Sequence, residues 1–374
     1  MKICLDIRYK TESGGSMYVK QIANKLLSLD KANSYVICKY RDQSLEFEKM
    51  ASDVIISPRW PNALVLLWTI AVLPFKLRQR NVDIHHGLKV PVPYWNTART
   101  ITTMHSTHDN YKGEHYVKPI VKAYFFLYAN RIWKPATAVI AVSNFIKECL
   151  TEHHHVPAEK VHVIYHGIAP EYRLMTGPEI EPVLKKYSLN PGYIVCVGNV
   201  TVVKNHITVV KALAEIADET TAPLVILGAT RHRNSNYARV AETVEKLGLN
   251  NRVRFLDFLP SGDVAAILNG ARVMVVPSLN EGFGLVLIEG FKCGVPVIAS
   301  AVTTLAELGA GRALMFDNPL DYKTLAVHIK NILMSDELYN HYRRLGLKAA
   351  EDFSWEKSAL AHIDVYNWCF NKSK

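Results

Sequence analysis

The chain of 374 residues lacks several features that would define its class. Its six cysteines are scattered and form no Cys-x-x-Cys pair, so they predict buried free thiols in a reducing compartment, not a metal or redox site. No Asp-x-Asp occurs, so a Mg²⁺ or Mn²⁺ ion bridging a diphosphate is not indicated. The longest apolar run, residues 63–75, is too short to span a bilayer and predicts a buried helix.

Other absences narrow the cofactors and partners. There is no complete Gly-x-Gly-x-x-Gly, which disfavours a dinucleotide cofactor, and no helix-turn-helix, zinc-finger or RNP pattern that would indicate nucleic acid. The tract His153–His155 has no matching carboxylate or cysteine pattern, so a metal is not expected there. The first residues lead straight into a strand instead of a signal peptide, and the expected location is cytoplasmic.

Positive charge is concentrated in the first half. The net charge is +10; residues 1–170 hold 22 Lys and Arg against 13 Asp and Glu, and residues 171–374 hold 22 against 21. Bulky apolar residues accompany these cations, which favours an anionic membrane surface as partner, although each stretch alone is also typical of an amphipathic helix. The two mixed stretches are Trp60, Leu66, Trp68, Phe75, Lys76, Arg78 and Arg80, and Lys118, Lys122, Tyr124, Phe125, Phe126, Arg131, Trp133 and Lys134.

Strand-like and helix-like segments alternate almost throughout. The predicted strands are residues 2–7, 34–39, 53–57, 82–85, 100–104, 138–142, 161–165, 193–197, 224–227, 253–255, 273–276 and 295–299. Near-continuous apolar strands between helices indicate parallel sheets covered on both faces, hence an α/β protein.

A Pro- and Gly-rich segment separates two such alternations. It predicts a linker at residues 171–192 between a first domain of residues 1–170 and a second of residues 193–354. Ligands of doubly wound sheets bind at the carboxyl ends of the strands, so we expect the site in the cleft between the halves.

Glu281 and Glu289 stand eight residues apart around a small-residue turn. If Gly284 opens a helix, Glu281 lies just before its N-terminus and Glu289 points from an early turn on nearly the same side. Unpaired amides at a helix N-terminus attract phosphate, and carboxylates accept from sugar hydroxyls, so the segment suits a nucleotide-sugar. A capped helix with two surface glutamates remains the alternative.

Further candidates follow predicted strands. Gly15 allows close approach of a phosphate or an acceptor, or forms a plain tight turn. Gly198 and Asn199 follow another strand, and Lys204 is expected to open the next helix, where its ammonium either neutralises a diphosphate or is solvated.

Polar residues also follow the predicted strand of residues 100–104. His105 and His108 suit a sugar hydroxyl or acid–base work, or are ordinary loop histidines. Asp109 either orients one of them or caps a turn.

Together these motifs resemble the retaining glycosyltransferases of family 4, which have the GT-B fold. The similar segments cover nearly the whole chain in order: SGGSMYVKQIANKLL, TITTMHSTHD, AVSNFIKECL, PAEKVHVIYHGI, YIVCVGNVTVVKNHITVVKAL, PLVILGA and the stretch with the E-x7-E motif. The resemblance implies two facing Rossmann-like, doubly wound domains with a deep cleft. Residues 355–374 would form a closing helix that crosses back onto the first domain.

The family also implies roles for single residues. Glu281 would contact hydroxyls of the donor sugar, Glu289 the ribose, and His105 the transferred sugar. The diphosphate would meet Lys204, Gly15 and the amides of Phe283, Gly284 and Leu285. Many members have Arg at the position of Asn199 and a second basic residue at that of Val203, so diphosphate binding here would depend more on Lys204 and helix amides.

The resemblance implies an enzyme that transfers a hexosyl group, with mannose favoured, from a nucleoside diphosphate sugar such as GDP-mannose or a UDP-sugar. The acceptor would be a glycan or a lipid-linked molecule, with no cofactor and no divalent metal. Cell-surface polysaccharide or lipopolysaccharide assembly, at the inner face of the cell membrane, is the expected setting. An epimerase of the same fold and a non-catalytic nucleotide-sugar-binding protein are the alternatives.

Overall fold

The computed structural model describes residues 1–10, 14–43, 45–89, 92–93, 98–106, 136–231 and 235–372. These residues form two compact units. The first unit contains the described residues up to Gly167 and those from Ser354 onwards, and the second contains Ile168–Phe353.

The first unit is built on a seven-stranded parallel sheet. Its strands are β1 (Lys2–Asp6), β2 (Ser34–Tyr40), β3 (Asp53–Ser57), β4 (Ile84–Gly87), β5 (Arg99–Met104), β6 (Ala138–Ala141) and β7 (Val161–Val163). Their order is β3-β2-β1-β4-β5-β6-β7, with Ile3 between Tyr35 and Ile84. The central strands are apolar and buried on both faces, as a parallel sheet covered by helices requires.

The α-helices described in this first stretch of chain are α1 (Gly14–Leu29), α2 (Asn62–Ala71), α3 (Leu73–Gln79) and α4 (Asn144–Glu148). The prediction of one buried helix over residues 63–75 is wrong in two respects. Pro74 lacks the amide proton that a continuous helix would need, so α2 ends and α3 begins around Val72. Several apolar side chains of this segment are exposed, including Leu67 and Phe75 at 60% each.

The second unit is built on a six-stranded parallel sheet. Its strands are β8 (Ile194–Val197), β9 (Leu224–Leu227), β10 (Val253–Leu256), β11 (Val273–Val276), β12 (Val297–Ser300) and β13 (Leu314–Phe316). The order β10-β9-β8-β11-β12-β13 is doubly wound and reverses between β8 and β11, where such sheets bind ligands. The predicted α/β class with two parallel-sheet domains is confirmed, although the short β13 was not predicted.

The helices described in this unit are α5 (Gly177–Lys186), α6 (His206–Glu215), α7 (Tyr237–Lys246), α8 (Ser261–Gly270), α9 (Leu285–Lys292), α10 (Thr303–Gly309), α11 (Tyr322–Met334) and α12 (Asp336–Ala350). The expectation that Lys204 opens a helix is wrong, since α6 begins at His206. Asn205 has a left-handed backbone (φ 53°). Its buried side-chain nitrogen Nδ2 donates to the carbonyls of Pro277 (3.1 Å) and Pro319 (2.7 Å). These bonds hold Lys204 in the loop before the helix.

The last helix, α13 (Trp355–Asn371), belongs to the first unit. Trp355, Ala359 and Tyr366 enter the core that α1 and the first sheet share. A Cβ atom on Gly167 would lie 2.1 Å from the backbone nitrogen of Trp355, so only glycine permits this approach. Among the described helices, none combines the length and the apolar character needed to cross a bilayer.

Candidate functional site

The E-x7-E segment forms a loop and the start of α9. Gly284 has a left-handed backbone (φ 85°) and directly precedes Leu285, the first residue of the helix. A glycine takes this conformation without strain, which explains why the helix begins here, as the sequence predicts. Glu281 therefore lies before the helix N-terminus, and Glu289 lies one turn inside it. The Leu287 amide donates to the Gly284 carbonyl at 2.9 Å, and the amides that precede it lie at the positive end of the helix dipole.

Lys204 and Glu281 form an ion pair. The Lys204 Nζ atom lies 2.5 Å from Glu281 Oε1, and Ser278 Oγ donates to the same oxygen at 2.7 Å. The side chains are 25% and 14% exposed, so the pair is partly desolvated but open to solvent. It joins the loops after β8 and β11, the neighbouring strands between which the sheet order reverses.

Gly198 and Asn199 shape the loop that carries Lys204. Gly198 has φ 138°, and a Cβ atom there would lie 3.1 Å from Lys204 Cε, so glycine leaves room for the lysine stem. The Asn199 side-chain oxygen accepts a hydrogen bond from the Ala229 amide at 3.1 Å, which ties the loops after β8 and β9 together. Asn199 thus has a visible structural contact, whereas its predicted role at the donor stays a prediction.

Glu289 lies in a different electrostatic environment from Glu281. Burial raises the pKa of the Glu289 carboxyl to about 7, although Lys204 and a hydrogen bond from the Tyr172 hydroxyl act in the opposite direction. The neighbouring Glu171 raises this pKa further. Near neutral pH, Glu289 therefore exchanges readily between its charged and neutral forms.

Phe283 anchors the loop between the two glutamates. Its side chain is buried and meets Phe353 edge to face, with ring centroids 6.2 Å apart. This apolar anchor fixes the backbone of residues 282–284, whose amides the sequence predicts for the diphosphate.

His105 directly follows β5 in the first unit, as predicted. Its Nε2 atom lies 2.8 Å from the Leu88 carbonyl oxygen, which can only accept, so Nε2 carries the proton and Nδ1 is the acceptor of the neutral ring. Burial lowers the pKa of His105 to about 4, and the Lys89 ammonium lowers it further against the opposing Leu88 bond. The ring is therefore neutral at pH 7.

Gly15 and Lys89 also meet at this edge of the first sheet. A Cβ atom on Gly15 would lie 2.8 Å from Lys89 Cε, so the lysine side chain passes directly over the start of α1. Lys89 follows β4 and His105 follows β5, which are adjacent strands. The structure thus adds a cation that the sequence did not single out.

A chain of buried hydrogen bonds lies beside His105. His362 Nδ1 is 2.7 Å from the Ser358 carbonyl and must donate to it, so the neutral ring accepts at Nε2 from the Tyr18 hydroxyl at 2.9 Å. Burial lowers the pKa of His362 to about 4, which keeps the ring neutral. Tyr18 meets the His105 ring edge to face at 4.6 Å between centroids.

The same reasoning fixes the remaining protons. Because the Tyr18 proton points to His362, the Tyr18 oxygen accepts from the Thr103 hydroxyl at 3.1 Å, and Thr103 accepts from His86 Nε2 at 2.8 Å. His86 Nδ1 then accepts from the Tyr366 hydroxyl at 2.8 Å. No local sequence pattern indicates this network, since its members come from distant segments and pair only through the fold.

Some predicted residues cannot be placed. His108, Asp109 and the second basic and aromatic stretch lie outside the described residues. Within the described ranges, no three His, Cys, Asp or Glu side chains cluster so that they could hold a metal ion.

Two family models match the chain. The model described as "Glycosyltransferase Family 4" matches residues 13–172, and the one described as "Glycosyl transferases group 1" matches residues 181–349. Between them they cover most of both units. The chain is therefore a glycosyltransferase with the GT-B fold.

Individual proteins agree with this assignment. The O-antigen chain mannosyltransferase B of Escherichia coli is 29% identical over 293 residues, which are 78% of this chain and 75% of that protein. The sucrose-phosphate synthase of Thermosynechococcus elongatus has a similar structure, with a TM-score of 0.80, 20% identity and full coverage of both chains. So has HepE of Anabaena, determined with UDP and glucose, with a TM-score of 0.76, 19% identity and coverage of 98% and 100%.

Proposed function

We propose that this glycosyltransferase moves a hexosyl group from a nucleoside diphosphate sugar to a glycan or lipid-linked acceptor, with retention of the anomeric configuration. The observation that carries the proposal is the Lys204–Glu281 ion pair, whose Glu281 lies just before the left-handed Gly284 and the N-terminus of α9. A cation and a helix N-terminus suit a diphosphate, and an adjacent carboxylate suits sugar hydroxyls.

In this proposal the second unit holds the donor without a divalent metal. Lys204 and the amides of Phe283, Gly284 and Leu285 meet the diphosphate, Glu281 the sugar, and Glu289 the ribose. The leaving phosphate takes the acceptor proton on the same face of the sugar. The protein then contributes positioning and electrostatic stabilisation of the departing diphosphate.

The proposed role of the first unit is to position the sugar and the acceptor. His105 is neutral and presents Nδ1 as an acceptor, which fits a hydrogen bond from a sugar hydroxyl better than proton donation. Gly15 lets the Lys89 side chain pass over the start of α1, and the Lys89 ammonium places a positive charge there.

The likeness to an O-antigen mannosyltransferase supports mannose as the transferred sugar and GDP-mannose as the donor. It also supports a place in cell-surface polysaccharide or lipopolysaccharide assembly. A thermal-shift panel of GDP-mannose, GDP and UDP-sugars tests the donor, because a ligand that binds only the folded chain raises its melting temperature. Stabilisation by UDP-sugars alone would contradict the mannose assignment.

Substitutions test the reaction. Lys204→Met and Glu281→Gln should each reduce transfer by about 2–4 kcal/mol of transition-state free energy, the scale of one lost oxyanion donor. Lys186→Met is a matched control, because Lys186 forms an exposed ion pair with Asp263 in the same unit. Near-normal turnover in both site variants, with an intact fold, would refute the assignment.

Product analysis separates the alternative functions. Conversion of donor without any acceptor would indicate an epimerase. Donor binding with no turnover over a panel of acceptors would indicate a nucleotide-sugar-binding protein. Transfer of the sugar with its anomeric configuration retained, in the presence of a chelator, supports the proposal.

We also propose that the first unit contacts an anionic membrane as a peripheral protein at its cytoplasmic face. The supporting surface is an apolar stripe, which we define as Trp60, Leu64, Leu67 and Phe75, with exposures of 46% to 60%. Leu64 and Leu67 stand three residues apart on one side of α2, Trp60 precedes that helix, and Phe75 lies in α3. The exposed Arg78 adds positive charge.

The structure corrects the predicted membership of this surface. Trp68 is buried beneath the Arg8 guanidinium, whose carbon lies 5.1 Å from the ring centre, and Leu66 is half-buried. Arg80 pairs with Asp53 at 2.7 Å. The stripe therefore relies on Leu64 and Leu67, which the sequence analysis had not singled out.

Vesicle flotation tests this second proposal. The protein should float with anionic vesicles more than with neutral ones, and the double variant Leu67→Ser with Phe75→Ser should lose most of that binding. Val327→Ser removes a similarly exposed apolar side chain from the second unit and is the control. Equal flotation with both vesicle types, or none with either, would contradict it.

A further inference from the structure

Thr303, the first residue of α10, has a left-handed backbone with φ 50°. This conformation is a genuine outlier for a β-branched residue, because its Cβ substituents crowd the backbone. Strained residues of this kind persist where the surrounding structure enforces them, and they concentrate at functional sites. The contacts of Thr303 therefore indicate why its strained backbone is retained.

The Thr303 hydroxyl accepts a hydrogen bond from the backbone amide of Glu281 at 3.1 Å. The next residue, Thr304, is buried and donates its hydroxyl proton to the Gly282 carbonyl at 2.9 Å. Two consecutive threonines thus hold one polar group from each of two consecutive loop residues.

A third hydroxyl completes the support from this side. At the end of β12, Ser300 Oγ donates to the Ser278 carbonyl at 2.6 Å, and Ser278 Oγ in turn donates to the Glu281 carboxylate. The loop from Ser278 to Gly282 is therefore fixed at its start by Ser300 and at its end by Thr303 and Thr304.

We infer that Thr303 is a positioning residue, whose strained backbone is retained because it aims the hydroxyl at the Glu281 amide and so sets the place of the Glu281 carboxylate. The inference rests on the proposed role of Glu281 at the donor sugar. In this inference Thr303 acts through Glu281 and does not contact the donor. A displacement of about 1 Å at such a group is enough to reduce turnover as much as 100-fold.

Three variants separate positioning from fold stability. Thr303→Ser keeps the hydroxyl, Thr303→Val keeps the shape and the strain without the hydroxyl, and Thr303→Gly removes both hydroxyl and strain. Glycine accepts positive φ freely, so Thr303→Gly should not melt below Thr303→Val. Ser188→Gly is the matched control, because Ser188 is exposed, has φ 51° and belongs to the same unit.

The first readout is transfer activity. We expect the Val and Gly variants to lose roughly 10-fold to 100-fold in kcat/KM despite different melting temperatures, whereas Thr303→Ser and Ser188→Gly stay close to the parent. If Thr303 served the fold alone, activity would follow stability and Thr303→Gly would be as active as the parent. That result would overturn the inference.

The second readout does not need a known substrate. Amide hydrogen exchange in a peptide covering residues 280–283 should quicken in the Val and Gly variants and stay unchanged in Thr303→Ser. Unchanged exchange in all variants would overturn the contact between Thr303 and Glu281. Absence of transfer by the parent with any donor would instead overturn the proposed function, while the exchange result still decides the role of Thr303.

Discussion

Acid should destabilise the first unit progressively as the pH falls from about 6.5 towards 4. His105 and His362 are buried and neutral, and burial lowers the pKa of each to about 4, against an ordinary value of 6.5. Burial also lowers the pKa of His86 and His166. The unfolded chain therefore binds protons in a range where the folded unit does not.

The lowered pKa values of His105 and His362 set the size of the loss in unfolding free energy. A pKa lowered by about 2.5 units corresponds to roughly 3 kcal/mol for each of His105 and His362. This contribution to the free energy of unfolding is fully present above pH 6.5 and is lost progressively as the pH falls towards 4. Since a whole domain is stable by only about 5–15 kcal/mol, two such residues are enough to unfold a marginal unit.

Tryptophan fluorescence isolates the relevant unit. Residues 168–353 of the second unit contain no tryptophan, whereas Trp60, Trp68, Trp355 and Trp368 belong to the first. Urea unfolding between pH 7.5 and 4.5 should show a free energy that falls with acid. The Gln side chain of His362→Gln can still accept from the Tyr18 hydroxyl. In this variant the slope of the unfolding free energy against pH should correspond to about one proton fewer taken up on unfolding. The same pH dependence in parent and variant would refute the neutral buried state of His362.

Three further predictions concern other parts of the chain. Asp6→Asn should lower the free energy of unfolding by about 3–5 kcal/mol in urea titrations, because it leaves the Arg8 guanidinium buried without its bidentate partner. Gly167→Ala should weaken the docking of α13, since its Cβ would meet the Trp355 backbone; faster amide exchange in α13 measures this. Donor affinity should strengthen as the pH rises through about 7, where Glu289 ionises, and calorimetry of Glu289→Gln should show that dependence removed.

Much of the fold and part of the site follow from local sequence. Apolar runs predicted twelve of the thirteen strands in the described residues to within a few residues, because a strand of a parallel sheet buries both faces. Gly284 predicted the start of α9, because a glycine before an apolar helical pattern allows the left-handed turn that begins the helix. His105 was expected at a strand end and lies there.

The missed features depend on contacts between distant residues. Lys204 and Glu281 are 77 residues apart, and Tyr18 and His362 are 344 residues apart, so no local pattern could pair them. Thr303 is a residue type that does not signal positive φ, and its contact with Glu281 becomes visible only in the structure. The split between α2 and α3 could have been predicted from Pro74.

The two glutamates of the E-x7-E segment differ in a way that bears on their proposed roles. Glu281 is engaged by Lys204 and Ser278 at one of its two oxygens. In the proposed complex, a diphosphate would meet the remaining donors of the Lys204 ammonium, and sugar hydroxyls would meet the remaining lone pairs of the Glu281 carboxylate. A nucleotide alone would engage Lys204 and a free sugar alone would engage Glu281, whereas a nucleotide-sugar would engage both at once. Glu289 makes no such ion pair in the described structure, and its carboxylate, which forms as the pH rises through about 7, would accept hydrogen bonds from ribose hydroxyls. The geometry therefore favours the intact nucleotide-sugar over either of its parts.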